Sequence, residues 1–520
     1  MISMIPPIHT RDAKTKLEEY SGPASVDSTF AVKASARFAW VLLLSLIAWE
    51  FGVLLLLASR KRFWYDELLT LHFSTLQPLS RFWTALHAGA DGMPVGYYLI
   101  VRMLNLLSGN PHVILRLPSI IGYILALLGV YWFVRKRLPG IASLTAVVLI
   151  ILSPFRTYAL EARSYALLVG FLAISAALWQ RIDDLPHLKP LFAVFLALSV
   201  CSHYYAVLAL SSFAIAELTW TLLSRRMRWA VWSALLIGTL PFFLGLPILL
   251  RFRNIFGQTF WSKPSWSTAV TTYREYLGLD VKFALVLILF FAVLAGERLL
   301  RTLRGYREET AQHNFSLPEI SLIGGFLFYP AFLVVLTKVL GGGYVPRYGW
   351  PAILGMVLGA VYLLRTSWLQ SRAPQFLAVL LLVFIYQARD DVWQLSGSAA
   401  AGVSEPWIRF AELSRAETDI PVVIGSPLTF LEASQYAPPE LRQRLVQLVV
   451  PRDGGTRLLA EFIPLKFEDR TSFQIKHSRF MFCSGGTFAD SVTQYFLDKR
   501  YHLTLLSEYG GHSLYVAERP

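Results

Sequence analysis

Apolar runs of bilayer length constrain this chain more than any other feature. They fall at 38–58, 113–134, 139–155, 164–180, 189–204, 206–223, 229–250, 281–297, 317–340, 349–364 and 374–388. A helix needs roughly 17 to 25 apolar residues to cross the hydrocarbon core, so the sequence predicts a polytopic α-helical membrane protein with about 11 transmembrane helices. Composition agrees: 55% of the 520 residues are hydrophobic and 16% are charged, against about 25% charged in soluble domains. The net charge of +14 arises from short basic clusters between apolar runs. That pattern orients membrane helices and does not build a nucleic-acid-binding face. Two cysteines, Cys201 and Cys483, supply neither a disulfide framework nor a zinc ligand set.

The polar N-terminus lacks the layout of a cleaved signal, so the first run reads as a retained signal anchor. Lys and Arg concentrate in short cytoplasmic loops. With the N-terminus inside, Arg135–Arg137, Arg225–Arg228, Arg298–Arg307, Arg365 and Arg372 all fall inside. The expected layout is a cytoplasmic tail (1–37), a membrane domain (38–390) with a large outer loop (59–112), and an outer-face soluble α/β domain (391–520). The protein is then a multi-pass protein of the cell inner membrane. Within the loop, Leu79, Phe82, Trp83 and Leu86 form a helical stripe, and the segment from Met93 is short for a span. Both read as helices lying in the interface plane. Strand patterns at Ile420–Gly425, Arg479–Cys483 and His512–Val516, with a helix expected at Glu440–Val446, support a small α/β unit.

This topology gathers ionisable and aromatic residues on the outer face. They are Asp66 and Glu67, then Glu161, Arg163 and Tyr165, then His203–Tyr205, then a loop with Trp261, Lys263, Trp266 and Arg274, and last Arg347 and Tyr348 after Gly341–Gly343. Polar groups at membrane depth are costly and mark function. Each also has a plain structural reading. Asp66 suits the N-cap of a helix from Glu67 to Leu76, Glu161 and Arg163 a local ion pair, Arg347 a snorkelling cation, and His203 a buried hydrogen-bonded imidazole. Together they supply a base, phosphate-binding cations and an apolar slot, the needs of a reaction on a membrane-bound phosphate ester. Arg60–Arg62, Arg251, Arg253, Lys263 and Arg274 lie outside against the positive-inside trend: either a weak orientation signal is tolerated there, or those cations meet an anion.

Taken in order, Tyr65-Asp-Glu67, Arg116-Leu-Pro-Ser119, Arg135-Lys-Arg137, Ser153-Pro-Phe155, Glu161-Ala-Arg-Ser-Tyr165, Ser202-His-Tyr204 and Pro346-Arg-Tyr348 resemble the GT-C membrane glycosyltransferases. The resemblance points to bacterial relatives of dolichyl-phosphate-mannose protein mannosyltransferase and aminoarabinose transferase, and covers roughly residues 38 to 390. It implies inverting transfer of a sugar from a polyprenyl-monophosphate donor to an envelope acceptor (lipid, glycan or protein) on the outer face of the membrane. The first-loop acid of that family acts as base and corresponds to Asp66, with Glu67 beside it. Arg163 and Arg347 would steady the leaving lipid phosphate, and Glu161 would orient Arg163 or the sugar. Lys263 and Arg274 are further phosphate candidates, and Tyr165, His203 and Tyr348 substrate-binding candidates. No cofactor is expected and no metal site is assigned, although the oligosaccharyltransferase branch uses a divalent metal and Glu161 and His203 keep that option open. The β-trefoil insert of eukaryotic protein mannosyltransferases is missing, which weakens the case for a protein acceptor. A transporter or lipid-linked sugar flippase is the competing class. Such proteins place charges near the midplane in repeated halves, whereas here the charges sit at one rim and no repeat is visible.

Overall fold

The computed structural model describes residues 24–257, 262–278, 316–362, 367–397, 405–417, 419–449, 454–485 and 501–519. Among them five helices are long and apolar enough to cross a membrane: Arg37–Arg60, Pro111–Arg135, Ala206–Ser224, Trp229–Phe256 and Leu317–Leu340. A sixth span arises if Gly140–Ile151 and the 3-10 turn Pro154–Leu160, bent by 67°, count as one. The protein is a multi-pass membrane protein. The expected spans at 164–180, 189–204 and 349–364 appear as shorter helices, Tyr165–Trp179, Lys189–Ser202 and Ala352–Tyr362. Tyr165–Trp179 is buried along nearly its whole length, and a helix enclosed by other helices need not match the thickness of lipid. The expected span at 281–297 lies outside the described residues, and the one at 374–388 lies within the helix Ser367–Gly397.

For the elements that build the site we use α1 (Ala24–Arg60), α2 (Tyr65–Thr75), α3 (Leu79–His87), α4 (Val95–Leu104), α5 (Pro111–Arg135), α6 (Gly140–Ile151) and α7 (Tyr165–Trp179). Helices α5 and α7 touch backbone to backbone. A Cβ on Gly122 would lie 2.2 Å from Leu167 Cα, and one on Gly170 would lie 2.1 Å from the Gly122 carbonyl oxygen. Small residues at a crossing are the usual means of tight helix association in lipid. Here the contact sets Arg116 and Ser119 of α5 beside the turn that precedes α7.

The two ends of the bundle differ in chemistry. At one end, Arg137 pairs with Glu319 (Nη2 to Oε1, 2.9 Å), Lys136 with Asp184 (2.7 Å), and Arg228 with Glu217 and with Asp183. That is the end expected to face the cytoplasm. The opposite end carries α2, α3 and α4, three short helices over 65–104 in place of a further span.

Beyond Ser367–Gly397, which continues past the boundary expected at 390, comes a six-stranded sheet. Its strands are β1 (Val422–Ile424), β2 (Leu445–Val449), β3 (Phe467–Asp469), β4 (Arg479–Gly485), β5 (His502–Tyr509) and β6 (His512–Glu518). The order is β3-β2-β1-β4-β6-β5. β1 runs parallel to β2 and β4, in register Val423 with Val446 and with Phe482, and β6 is antiparallel to β4 and β5. The helix expected at Glu440–Val446 is replaced by a short turn of helix, Pro439–Arg442, and then β2. Leu445, Val446, Gln447 and Leu448 are all buried, and a strand buried on both faces suits an inner position in a parallel sheet. Phe63, Leu68, Phe73, Tyr98, Ile424, Phe430 and Tyr436 share one apolar core, so the sheet unit and the first loop pack together.

Candidate active site

The two adjacent carboxylates have opposite fates. Helix α2 begins at Tyr65 behind the N-cap Trp64, so Asp66 sits in the first turn and is not the N-cap expected from the sequence. Glu67 is the N3 residue and accepts from Trp64 N–H at 3.2 Å. It also accepts from Arg116 Nε (2.7 Å), Arg116 Nη2 (2.8 Å) and the Ala162 N–H (2.6 Å). Arg116 spends its remaining donors on the carbonyls of Ala58, Lys61 and Arg62. Both side chains are 0% exposed. Glu67, expected from the sequence to stand beside Asp66 in catalysis, thus has its carboxylate committed to a buried knot joining α1, α2, α5 and the turn before α7.

Asp66 faces the other way and is 21% exposed. Its Oδ2 lies 3.0 Å from Arg347 Nη2 and 3.9 Å from Arg163 Nε. Arg163 reaches back to the Asp66 carbonyl (3.3 Å) and Thr70 Oγ1 (3.4 Å), and Ser119 holds the Arg163 carbonyl at 2.6 Å. Arg347 enters from the 3-10 turn Pro346–Gly349 and lies over the rings of Trp64 (5.3 Å) and Tyr165 (5.9 Å). Around this ion-paired centre several buried atoms have no hydrogen-bond partner: Glu161 Oε2, Arg163 Nε, Arg347 Nε, Ser164 Oγ and Trp64 Nε1. Buried polar groups are normally satisfied, so this cluster has unspent capacity to bond a ligand.

Burial pushes the Glu161 carboxyl up to about 7, with Lys61 and Arg347 opposing and Glu67 and Asp66 adding to the rise. Burial likewise depresses His203 to about 3, helped by Arg163 and Arg347, so its imidazole is neutral. His203, Tyr165, Tyr205 and Tyr348 form an aromatic wall, with His203 5.5 Å from Tyr165 and 5.2 Å from Tyr348. Thus Asp66, Glu161, Arg163, Tyr165, His203, Arg347 and Tyr348 come together. Lys263 and Arg274 do not: both are exposed and neither makes an ion pair or hydrogen bond to the cluster. Trp261 lies outside the described residues. Among the described residues no group of three His, Cys, Asp or Glu side chains is arranged to hold a metal.

Three participants were missed from sequence. Asp91 is buried, accepts from the Tyr98 hydroxyl and lies 3.9 Å from Arg163 Nη1; nothing in its local sequence announces this. Arg116 holds Glu67 from far along the chain. Lys61 donates to the Leu160 carbonyl at 2.9 Å, and burial lowers its pKa, with the charge of Glu67 opposing. Its signal was present in the basic run that defies the positive-inside trend.

No protein-family model matches the chain, and no curated protein matches it in sequence. Among solved structures it is similar to ArnT from Cupriavidus metallidurans in the apo state, with a TM-score of 0.58 and 12% identity over 93% of this chain and 98% of that one. The same ArnT bound to undecaprenyl phosphate superposes with a TM-score of 0.53 and 12% identity, over 92% and 97%. The chain has the ArnT fold. The overlap spans nearly the whole of both chains, so the sheet unit lies within the shared architecture as well as the helices. The resemblance read from short motifs is met at the level of the fold.

Proposed function

We propose that the protein is a glycosyltransferase that moves a sugar from a polyprenyl-monophosphate donor to an envelope acceptor, at the outer face of the cytoplasmic membrane. One observation carries the reading: a partly exposed carboxylate, Asp66, stands between two arginines beside buried polar atoms that have no hydrogen-bond partner. The ArnT likeness supports it, since that protein was captured with undecaprenyl phosphate. In this mechanism the Asp66 carboxylate accepts the proton of the acceptor hydroxyl. The acceptor oxygen attacks the anomeric carbon from the face opposite the phosphate, the bond from that carbon to the phosphate oxygen breaks, and the configuration inverts. The departing lipid phosphate takes the electron pair and is held by Arg163 and Arg347. Charge stabilisation of this kind is worth most where water is excluded. Lys61 supplies a third cation beside Glu161.

The test is transfer in membranes supplied with a panel of radiolabelled polyprenyl-phosphate sugars, comparing the unaltered protein with Asp66→Asn. Loss of a positioned general base typically costs 100-fold or more, roughly 10² to 10⁴. Transfer falling by that much at normal protein level supports the assignment and reveals the donor. Equal transfer by both proteins removes Asp66 from the mechanism.

A further inference from the structure

Arg347 meets Asp66 from a stretch of chain with little conformational preference of its own. The helix Leu317–Leu340 ends at Gly341, whose φ of +70° is the left-handed conformation in which glycine closes a helix, and two more glycines follow. Glycine leaves the backbone many options, so the place of Arg347 has to be set from outside the segment. Hydroxyl groups from other parts of the chain set it. Tyr205 donates to the Gly343 carbonyl at 3.0 Å, Ser262 to the Tyr344 carbonyl, and Tyr276 to the Pro346 carbonyl at 2.6 Å. Ser262 also accepts the Tyr344 N–H on its own carbonyl at 3.1 Å.

The Tyr276 bond bears most directly on Arg347. The Pro346 carbonyl and the nitrogen and Cα of Arg347 belong to one planar peptide unit, so a bond that fixes this carbonyl fixes where the Arg347 side chain leaves the backbone. Tyr276 is itself held. It lies on the helix Thr268–Gly278, is 0% exposed, and stacks on Trp350 with ring centroids 4.4 Å apart. Gly349 leaves the room that its hydroxyl occupies, since a Cβ there would lie 2.4 Å from the Tyr276 oxygen. The same loop carries Lys263 and Arg274, which the sequence offered as phosphate ligands and which stay exposed, away from the cluster. What the loop brings to the site is the tie on Arg347.

We propose that Tyr276 is a positioning residue: its hydroxyl, acting through the Pro346 carbonyl, holds the Arg347 guanidinium where it meets the lipid phosphate of the donor. The inference rests on the transferase reading for its ligand, while the tie itself can be measured without it. Decaprenyl phosphate in detergent is titrated onto the purified protein and onto its Tyr276→Phe, Arg347→Gln and doubly substituted forms. Phenylalanine keeps the ring on Trp350 and removes only the hydroxyl. Tyr276→Phe is expected to weaken binding about fivefold, the net effect of one hydrogen bond. In the Arg347→Gln background it is expected to add nothing, because a residue that acts through a guanidinium has no effect once the guanidinium is gone. Gly349→Ala, which drives the hydroxyl off the carbonyl, is expected to match Tyr276→Phe. Equal losses in the two backgrounds, or no loss in either, overturn the proposal. Amide exchange at 344–350, measured without lipid, is expected to quicken in Tyr276→Phe, and unchanged exchange overturns the tie whatever the lipid does. A protein that binds no decaprenyl phosphate yet shows quickened exchange keeps the tie and loses the transferase reading, so the two failures are told apart.

Discussion

Asp66 and Glu67 are chemically near-identical neighbours, and the fold separates them by sealing Glu67 in a buried knot with Arg116 while leaving Asp66 partly exposed beside Arg347 and Arg163. Glu67→Gln leaves Arg116 buried without its counter-charge, and breaking such a pair costs about 3–5 kcal/mol. Thermal unfolding in detergent is expected to show that loss, with less folded protein in the membrane, whereas Asp66→Asn unfolds like the unaltered chain and fails only in transfer. The adjacent pair was legible in the sequence. Which member was free was not, because Arg116 lies 49 residues further on and only packing brings it back. Glu161 gives a pH signature. Its folded pKa, raised by burial to about 7, exceeds its ordinary value of 4.5. Its contribution to stability is therefore full below pH 4.5 and is lost as the pH rises through about 7, at up to about 1.4 kcal/mol per pH unit. Melting curves are expected to fall over that window in the unaltered protein and to flatten in Glu161→Gln; parallel curves would remove the buried carboxyl as the cause.

At the scale of elements, the 3-10 turn Pro154–Leu160 leads directly to Glu161 and Arg163, and a buried charge cluster fixes it. Arg156 Nε meets Glu50 of α1 at 2.7 Å, and its two terminal nitrogens meet both oxygens of Asp391 at 3.0 and 2.9 Å. The first helix, the turn and the helix that leads to the sheet unit are thus tied at one point. Arg156→Leu leaves two facing carboxylates and is expected to cost about 3–5 kcal/mol, while replacing all three members with leucine restores most of the stability, as apolar substitutes for buried ion clusters often do. Detergent melting of the two variants is the check, and a triple variant no better than the single one would assign the loss to packing. Periodicity and length revealed that most of these helices exist, because a lipid-facing stripe must be apolar. They overstated the inner ones: Tyr165–Trp179 and Ala352–Tyr362 are walled by protein, and their ends are set by Glu161–Ser164 and by the turn that carries Arg347.

For the whole molecule, the question is what the sheet does for the Asp66 cluster at the end of the helix bundle. Asp66 rides on α2, which has no long helix of its own to anchor it. The Tyr436 hydroxyl accepts the Phe63 N–H at 2.6 Å, and the Phe63, His112 and Tyr436 rings stack in series, with centroids 4.2 and 6.2 Å apart. The sheet unit therefore clamps the segment just before Asp66. Such a contact between chain regions was invisible in the sequence, where Tyr436 falls between the strand expected at Ile420–Gly425 and the helix expected at Glu440–Val446. Tyr436→Phe keeps the ring and strands a buried N–H, costing about 1–3 kcal/mol; Tyr436→Ala also opens a cavity, for about 3–5 kcal/mol. If the clamp holds Asp66 in place, amide exchange in 63–75 is expected to quicken in both variants and transfer to fall in step with it. The opposite end of the bundle, held by Arg137–Glu319 and Arg228–Glu217, has no such link among the described residues and is expected to keep its protection. Faster exchange at both ends together would show that Tyr436 supports the molecule globally and that the sheet does not specifically steady Asp66.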